Sequence, residues 1–152
     1  MTRILTANEY FEQNSGIVTF CGSTKFFTEC MEASRQLTFK NWIVLMCGSW
    51  GHSYHKDVEN NNVDYEAVKK LHYIKIDKSD VIVVVTDESG YIGDSTKAEI
   101  KYAESQYLPI FYFNGEEFSG KVDSFIYPPD YLPFTHDYSN VDDFAENNSL
   151  GF

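Results

Sequence analysis

The chain has 152 residues, enough for one domain with a substantial hydrophobic core. Hydrophobic residues make up 43% of it and aromatic residues 16%, which excludes a largely disordered chain. The formal net charge is −11, from 12 basic and 23 acidic residues. Because so acidic a surface repels phosphate backbones, we expect neither DNA nor RNA as a partner, although a few backbone N–H groups can still hold a single nucleotide.

The cysteine content indicates a reducing compartment. Cys21, Cys30 and Cys47 are odd in number and form no C-x-x-C pair, so we interpret them as reduced core thiols. The N-terminus does not resemble a signal peptide, and no apolar run approaches the roughly 18 residues that read as a membrane-spanning helix. The sequence therefore predicts a soluble, cytoplasmic protein that does not bind membranes.

Strand signals recur along the chain. Residues 1–15 are polar and mixed, and they predict at most a short helix around Glu9. Beyond them, short apolar runs predict strands at 17–21, 42–46, 81–85 and 109–113. Helical segments alternate with these strands, and this order indicates an α/β fold. We predict a small, doubly wound parallel sheet of four or five strands with helices on both faces.

Three helices are predicted between these strands. The first takes Ser23 or Thr24 as its N-cap, and its apolar stripe comprises Phe27, Cys30, Met31, Ser34 and Leu37. The second runs from about Asp64 to Ile76 after a cap at Asn62, with one side formed by Val68, Leu71 and Ile74. The third follows Ser95 and turns inward Ile100, Ala103 and Tyr107.

The chain is interpreted as a single domain over residues 1–152, with a core at 16–113. Residues 114–152 form an aromatic, acidic C-terminal extension, and they carry all the prolines except Pro109. A segment so rich in aromatic side chains is not expected to be disordered throughout. It is expected to wrap its own domain or to reach a neighbouring subunit.

The first predicted strand leads into Cys21-Gly22-Ser23-Thr24. A glycine there permits a tight turn, and the free N–H groups of the following helix, with two hydroxyls, suit a phosphate. The motif is short, and by itself a simple strand-to-helix turn with a Ser/Thr cap is the better interpretation. It matches neither a Walker loop nor a G-x-G-x-x-G fingerprint.

The third predicted strand leads into a second loop of candidate residues, Gly90, Tyr91, Gly93, Asp94 and Ser95. Glu99 follows in the first turn of the predicted helix. Because ligands of open α/β sheets bind beyond the carboxyl ends of the strands, Glu99 is placed where a catalytic residue would be. A carboxylate kept ionised by the helix dipole can attack an anomeric carbon. The alternative is a capping box over Thr96–Glu99, in which Glu99 is structural.

A glycosyl-transfer site also needs a proton donor for the departing base. The acids near the predicted strand ends are Asp77, Asp80, Asp87, Glu88 and Asp94. Asp94 is best placed because it lies just before Glu99, whereas Asp80 is expected to cap a helix turn or to lie at the inactive edge of the sheet. The histidines follow no zinc pattern, and we expect surface or packed positions for His52, His55, His72 and His136. No metal and no cofactor are expected.

Three pieces of the chain resemble, in order, the nucleoside 2-deoxyribosyltransferase superfamily, which includes the 2′-deoxynucleoside 5′-phosphate N-hydrolases. The pieces are Val18–Ser23, Lys75–Val83, and Gly90–Ala103 followed by Leu108-Pro109-Ile110. They resemble the family's first strand and loop, a helix-to-strand junction, and the catalytic helix with its following strand. The resemblance covers residues 16–113. It implies a flavodoxin-like domain, N-glycosidic bond cleavage with Glu99 as the nucleophile, and a homodimer or larger homo-oligomer.

Some positions depart from the family. The transferases carry a tyrosine where this chain has Phe20, and an aspartate where it has His72. The loop before Glu99 is longer than the family's shorter version, and it contains Asp94-Ser95 in place of small apolar residues. These departures leave open a descendant that binds nucleotides without cleaving them.

The leading hypothesis is therefore an enzyme that cleaves or transfers the N-glycosidic bond of a (deoxy)nucleoside or its 5′-monophosphate. Glu99 would be the nucleophile and Asp94 the proton donor. The remaining candidate residues would contact the substrate: Phe20, Gly22, Ser23, Thr24, Gly90, Tyr91, Gly93 and Ser95. The second hypothesis is a non-catalytic nucleotide sensor or regulatory subunit on the same fold. The third is an α/β interaction module in which Glu99 only caps its helix.

Overall fold

A computed structural model describes residues 3–51, 56 and 59–123 of the chain. Its elements in chain order are β1 (Ile4–Thr6), α1 (Ala7–Gln13), β2 (Gly16–Cys21), α2 (Phe27–Thr38), β3 (Trp42–Leu45), α3 (Tyr65–Asp77), β4 (Val81–Val85), α4 (Asp94–Ser105), β5 (Ile110–Phe113), β6 (Phe118–Ser119) and β7 (Lys121–Asp123). None of the helices in these ranges has both the length and the apolar character needed to cross a membrane.

The main sheet has five strands in the order β3-β2-β4-β5-β6. The pairs β2–β3, β2–β4 and β4–β5 are parallel, as the sequence predicts, and β6 is antiparallel to β5. The fold is therefore α/β with a mixed, mostly parallel sheet. β1 and β7 form a separate antiparallel pair, so residues 114–123 of the predicted extension contribute a strand to each sheet.

Helices cover both faces of the sheet, and β4 shows how the core is divided between them. All five residues of β4 are buried. Its alternate residues Val81, Val83 and Val85 join the core cluster that contains buried residues of α1 and α2. Ile82 and Val84 join the cluster that contains buried residues of α3 and α4. A strand covered on both faces is a continuous apolar run, which is why this strand was evident in the sequence.

The first fifteen residues contain more structure than their polar composition predicts. Thr6 and Glu9 form a capping box at the start of α1, in which each side chain accepts a hydrogen bond from the other's backbone N–H. Tyr10 and Phe11 are both buried on this helix. Their rings pack against Phe111 of β5 and Trp42 of β3, and this packing compensates for the short length of α1.

Two predicted helix caps are wrong. α2 begins at Phe27 without a side-chain cap, because Phe26 N–H bonds the Ser23 carbonyl in a turn that separates Ser23 and Thr24 from the helix. α3 is capped by Asp64 rather than Asn62, and the Asp64 carboxylate accepts the N–H groups of Glu66 and Ala67. A local turn therefore determines where α2 starts, and a polar residue nearer to the helix determines where α3 starts.

The buried faces of the helices also differ from the predicted stripes. Phe27 is exposed on α2, whose buried residues are Cys30, Ala33 and Leu37. Leu71 of α3 is 55% exposed, and Tyr107 is 79% exposed because α4 ends at Ser105 and the chain turns at a φ of 58°. Adjacent helical stripes have similar spacing in the sequence, and packing against the sheet decides which of them is buried.

Asp80 ties β2 to β4 at their amino-terminal ends. Its carboxylate accepts the Ile17 N–H at 2.8 Å, and its own N–H donates to the Ile17 carbonyl at 2.8 Å. Gly16 makes room for it, since a Cβ there would lie 2.3 Å from Asp80 Oδ2. Asp80 therefore joins two strands rather than capping a helix, and it lies at the edge of the sheet opposite the carboxyl ends of the strands.

Gly22 fixes the close approach of β2 and β4 at their carboxyl ends. A Cβ at Gly22 would lie 2.5 Å from the Val85 carbonyl oxygen, whereas a Cβ at Gly48 meets nothing within 4 Å. We therefore expect Gly22→Ala to lower the free energy of unfolding by about 1–3 kcal/mol, the usual cost of forcing atoms into a packed site. Urea denaturation followed by circular dichroism measures this change.

Gly48→Ala is the matched control for Gly22→Ala. It should stay within about 1 kcal/mol of the wild type, because Ala is accommodated there without strain. Equal stability of the two variants would contradict the close approach at Gly22.

Candidate functional site

A cavity of about 740 Å³ opens beyond the carboxyl ends of β2 and β3. The loop after β2, the loop after β3, one face of α3 and the first turns of α4 form its walls. The two loops are joined, because the Gly51 N–H donates to the Thr24 carbonyl at 2.9 Å. Its volume is in the range of small-molecule sites, which is about 300–1,000 Å³.

The cavity collects nearly all the candidate residues of the sequence analysis. Its lining includes Phe20, Gly22, Ser23, Thr24, Tyr91, Gly93, Asp94, Ser95 and Glu99. Gly90 is the exception: it does not line the cavity, and with a φ of 72° it turns the loop ahead of Tyr91. The other acids that were weighed as proton donors, Asp77, Asp80, Asp87 and Glu88, are not among the described lining residues.

Glu99 lies in the second turn of α4, not in the first as the sequence predicts. The helix begins at Asp94 after Gly93, which acts as N-cap without a side-chain hydrogen bond. The capping-box interpretation of Thr96–Glu99 is therefore wrong. The helix dipole does not keep Glu99 ionised either, because the influence of a helix terminus falls off within the first turn, and Asp94 is the acidic residue in that turn.

His72 and Cys21 flank Glu99, and of these three residues His72 and Glu99 line the cavity. His72 is on α3 and Cys21 is the last residue of β2. His72 Nε2 lies 3.5 Å from Glu99 Oε2, and each of these side chains is 15% exposed. One potential ligand atom from each of Cys21, His72 and Glu99 lies within 4.8 Å of the others. Three elements thus bring a thiol, an imidazole and a carboxylate together.

The environment of Glu99 is polar but incompletely hydrogen-bonded. Oε2 is buried, and none of the described residues donates a hydrogen bond to it. His72 is its ion-pair partner when protonated. Burial raises the pKa of the Cys21 thiol well above the ordinary value, and the negative charge of Glu99 and a hydrogen bond between the two side chains raise it further. Cys21 is therefore a neutral thiol beside the carboxylate.

Three basic side chains of α3 line the cavity, and the sequence did not predict a place in the site for any of them, although His72 stands where the resembling family has an aspartate. They are Lys69, His72 and Lys75. Lys75 Nζ donates to the Met46 carbonyl at 2.6 Å, so it links α3 to the loop after β3. The signal was present as a helical face with Val68, Leu71, His72 and Lys75 at positions i, i+3, i+4 and i+7. It was passed over because the neighbouring stripe of Val68, Leu71 and Ile74 is more apolar.

Aromatic rings stand at the mouth of the cavity. Tyr91 is half exposed, and Lys25 Nζ lies 3.9 Å from the centre of its ring. Trp50, in the loop after β3, also lines the cavity, and its ring packs edge-on against Phe27 at 5.4 Å between ring centres. Partly exposed aromatic side chains next to polar groups suit a flat heteroaromatic ligand.

His52, His55 and His136 lie outside the described residues, so their predicted surface or packed positions remain predictions.

A comparison of the chain with models of known protein families and with curated protein sequences finds no match.

The three thiols should differ in reactivity. Burial raises the pKa of Cys30 to about 12, and it also raises the pKa of Cys47, although the positive charge of Lys75 opposes that shift. Cys47 is partly exposed, whereas Cys21 and Cys30 are buried. Since the thiolate is the nucleophile, we expect iodoacetamide at about pH 8 to modify Cys47 first. Peptide mass mapping over time measures the order.

In denaturant, all three thiols should react at similar rates, because the unfolded chain removes the differences in burial. Early modification of Cys21 or Cys30 in the folded protein would contradict the described packing.

Proposed function

We propose that this chain cleaves or transfers the N-glycosidic bond of a (deoxy)nucleoside or a nucleoside 5′-monophosphate, with Glu99 as the nucleophile. The observation that carries the proposal is the position of Glu99. Its side chain is 15% exposed in a cavity beyond the carboxyl ends of parallel strands, and its buried Oε2 accepts no hydrogen bond from the described residues. A structural carboxylate would normally have its oxygens satisfied.

The first chemical step forms a bond between a Glu99 oxygen and C1′ of the sugar. The bond from C1′ to the base nitrogen breaks, and its electron pair leaves with the base. This gives a glycosyl ester on Glu99, as in retaining glycosidases. Water then attacks C1′ and releases the sugar, or a second base does so and completes a transfer.

The departing base needs a proton, and Asp94 is our proposed donor. It is the acid other than Glu99 among the described residues that line the cavity. A base leaves from the face of C1′ opposite the nucleophile, so a donor must stand away from the Glu99 carboxylate. His72 is too close to that carboxylate for this role, and it instead balances the carboxylate's charge when protonated.

Polar groups on either side of the cavity suit the sugar and one phosphate. The hydroxyls of Ser23 and Ser95 line the cavity after two different strands, and they are proposed to donate to the sugar or the phosphate. Lys69 adds a positive charge on the facing helix. The ring of Tyr91 is proposed to stack on the base. A local basic wall allows a monophosphate to bind to a protein whose overall charge is −11.

The arrangement of strands supports the same proposal. β2 crosses over to β3 on one side of the sheet, and the chain then returns to β4 on the other side of β2. In doubly wound sheets of the flavodoxin type, ligands bind where the direction of the crossovers reverses. We propose that the fold is of this type. We also carry forward a cytoplasmic location and a homodimer or larger assembly, which the resemblance of residues 16–113 implies.

Glu99→Gln should abolish release of free base while leaving the protein folded, because an amide cannot form the glycosyl ester. The loss expected is at least about a thousandfold, typical of removing a residue that acts as a covalent nucleophile. Chromatography of free base after incubation with nucleosides, 2′-deoxynucleosides and their monophosphates measures it. Wild-type base release that Glu99→Gln retains in full would disprove the mechanism.

Glu104→Gln is the matched control, since it makes the same chemical change at an exposed position of α4. It should leave base release unchanged. A wild-type protein that binds one of these compounds tightly and releases no base from any of them would instead be the non-catalytic sensor, the second hypothesis.

A further inference from the structure

Three side chains of different chemistry meet beside the cavity, and together they form a potential ligand set. Cys21 comes from β2, His72 from α3 and Glu99 from α4. Their potential ligand atoms all lie within 4.8 Å of one another. The three residues are far apart in the sequence and form no short ligand motif, so no metal was expected from the sequence.

This ligand set selects a particular class of ion. Thiolate, imidazole and carboxylate are the ligands of Zn²⁺ and of chemically similar first-row divalent ions. Ca²⁺ and Mg²⁺ favour sites made of oxygen ligands, and in this cluster only Glu99 offers an oxygen. Three protein ligands also leave a fourth position of a tetrahedral ion open, and two of these ligands, His72 and Glu99, line the cavity.

The distances are compatible with a tetrahedral ion. Bond lengths of about 2.0–2.3 Å place the ligand atoms of such a site roughly 3.3–3.6 Å apart. His72 Nε2 and Glu99 Oε2 already stand 3.5 Å apart. The Cys21 thiol lies within 4.8 Å of both, so a shift of about 1 Å in the side chains suffices to close the site.

A second observation points to a missing ligand. Oε2 of Glu99 is buried, and it accepts no hydrogen bond from the described residues. An unsatisfied carboxylate oxygen in a buried position is costly, and a bound cation removes that cost. The oxygen left without a hydrogen bond is the same atom that faces the imidazole nitrogen of His72.

We propose that Cys21, His72 and Glu99 bind one divalent ion of the zinc class. On binding, the Cys21 thiol releases its proton to solvent, and the thiolate, the neutral imidazole and the carboxylate coordinate the ion. Because the ion occupies Glu99, it also blocks attack on C1′, so that binding of the metal and turnover exclude each other. That consequence rests on the proposed function, whereas the binding itself does not.

Cobalt titration of the metal-free protein tests the site directly. We expect the wild type to bind one equivalent of Co²⁺ with a thiolate-to-cobalt absorption band, and Zn²⁺ to displace it. Cys21→Ser should lose the band, and His72→Ala should weaken Co²⁺ binding at least about tenfold, as expected when a metal ligand is removed. Cys30→Ser is the matched control, since it removes another buried thiol from outside the cluster and should keep the band.

Circular dichroism shows whether each variant is folded. If Cys21→Ser does not fold, the site is tested by the Co²⁺ affinity of His72→Ala. A folded wild type that gives no thiolate band, or Co²⁺ affinities that are equal in wild type and His72→Ala, would overturn the site. The titration contains no nucleoside, so its result is independent of base release. If the wild type does release base, one equivalent of Zn²⁺ should inhibit it.

Discussion

The parallel pairing of β2 with β4 is the constraint on which the rest of the structure depends. The register Val18↔Val81 to Cys21↔Val84 is held at one end by Asp80, which bonds Ile17. At the other end Gly22 lies against the Val85 carbonyl. Because side chains alternate along a strand, a slip of one residue would turn Cys21 away from α3 and α4 and into the opposite core. The composition of the cavity therefore depends on this register.

Glu99 shows why such a fixed frame matters. A carboxylate that is largely removed from water is expensive unless a cation or hydrogen-bond donors offset the cost. His72 supplies a positive charge only when it is protonated, and Cys21 contributes a neutral thiol. Because the Glu99 carboxylate lacks a full set of partners, binding of an electrophile or a cation lowers its free energy. An electrophilic sugar carbon and a divalent ion are the two partners proposed above, and both would use the Glu99 carboxylate.

Charge is distributed unevenly between the surface and the cavity. The whole chain carries a formal charge of −11, yet Lys69, His72 and Lys75 all face the cavity from α3. The surface charge opposes long phosphate polymers, because many negative charges must approach it at once. A ligand with a single phosphate meets the local basic wall instead. The net charge and a nucleotide-sized cavity are therefore compatible.

The sequence determined the parts of this protein that are set by local pattern. Three features follow from residue order: the buried run at β4, the alternation of strands with helices, and the positions of Gly22 and Glu99 after two strands. Short apolar runs and glycine turns are recognisable from neighbouring residues alone. The very short strands β6 and β7 did not follow, because two or three residues show no periodicity and their partners are supplied from elsewhere in the chain.

Only the tertiary structure decided which face of α3 is turned inward, and with it the chemistry of the site. The stripe with Leu71 and Ile74 and the face with His72 and Lys75 have similar helical spacing, and packing selected the second. The start of α4 at Asp94 likewise removed the capping role of Glu99. The meeting of Cys21, His72 and Glu99 joins a strand and two helices that are distant in sequence. Such a contact depends on how the elements pack around the sheet, and no local pattern in the chain encodes it.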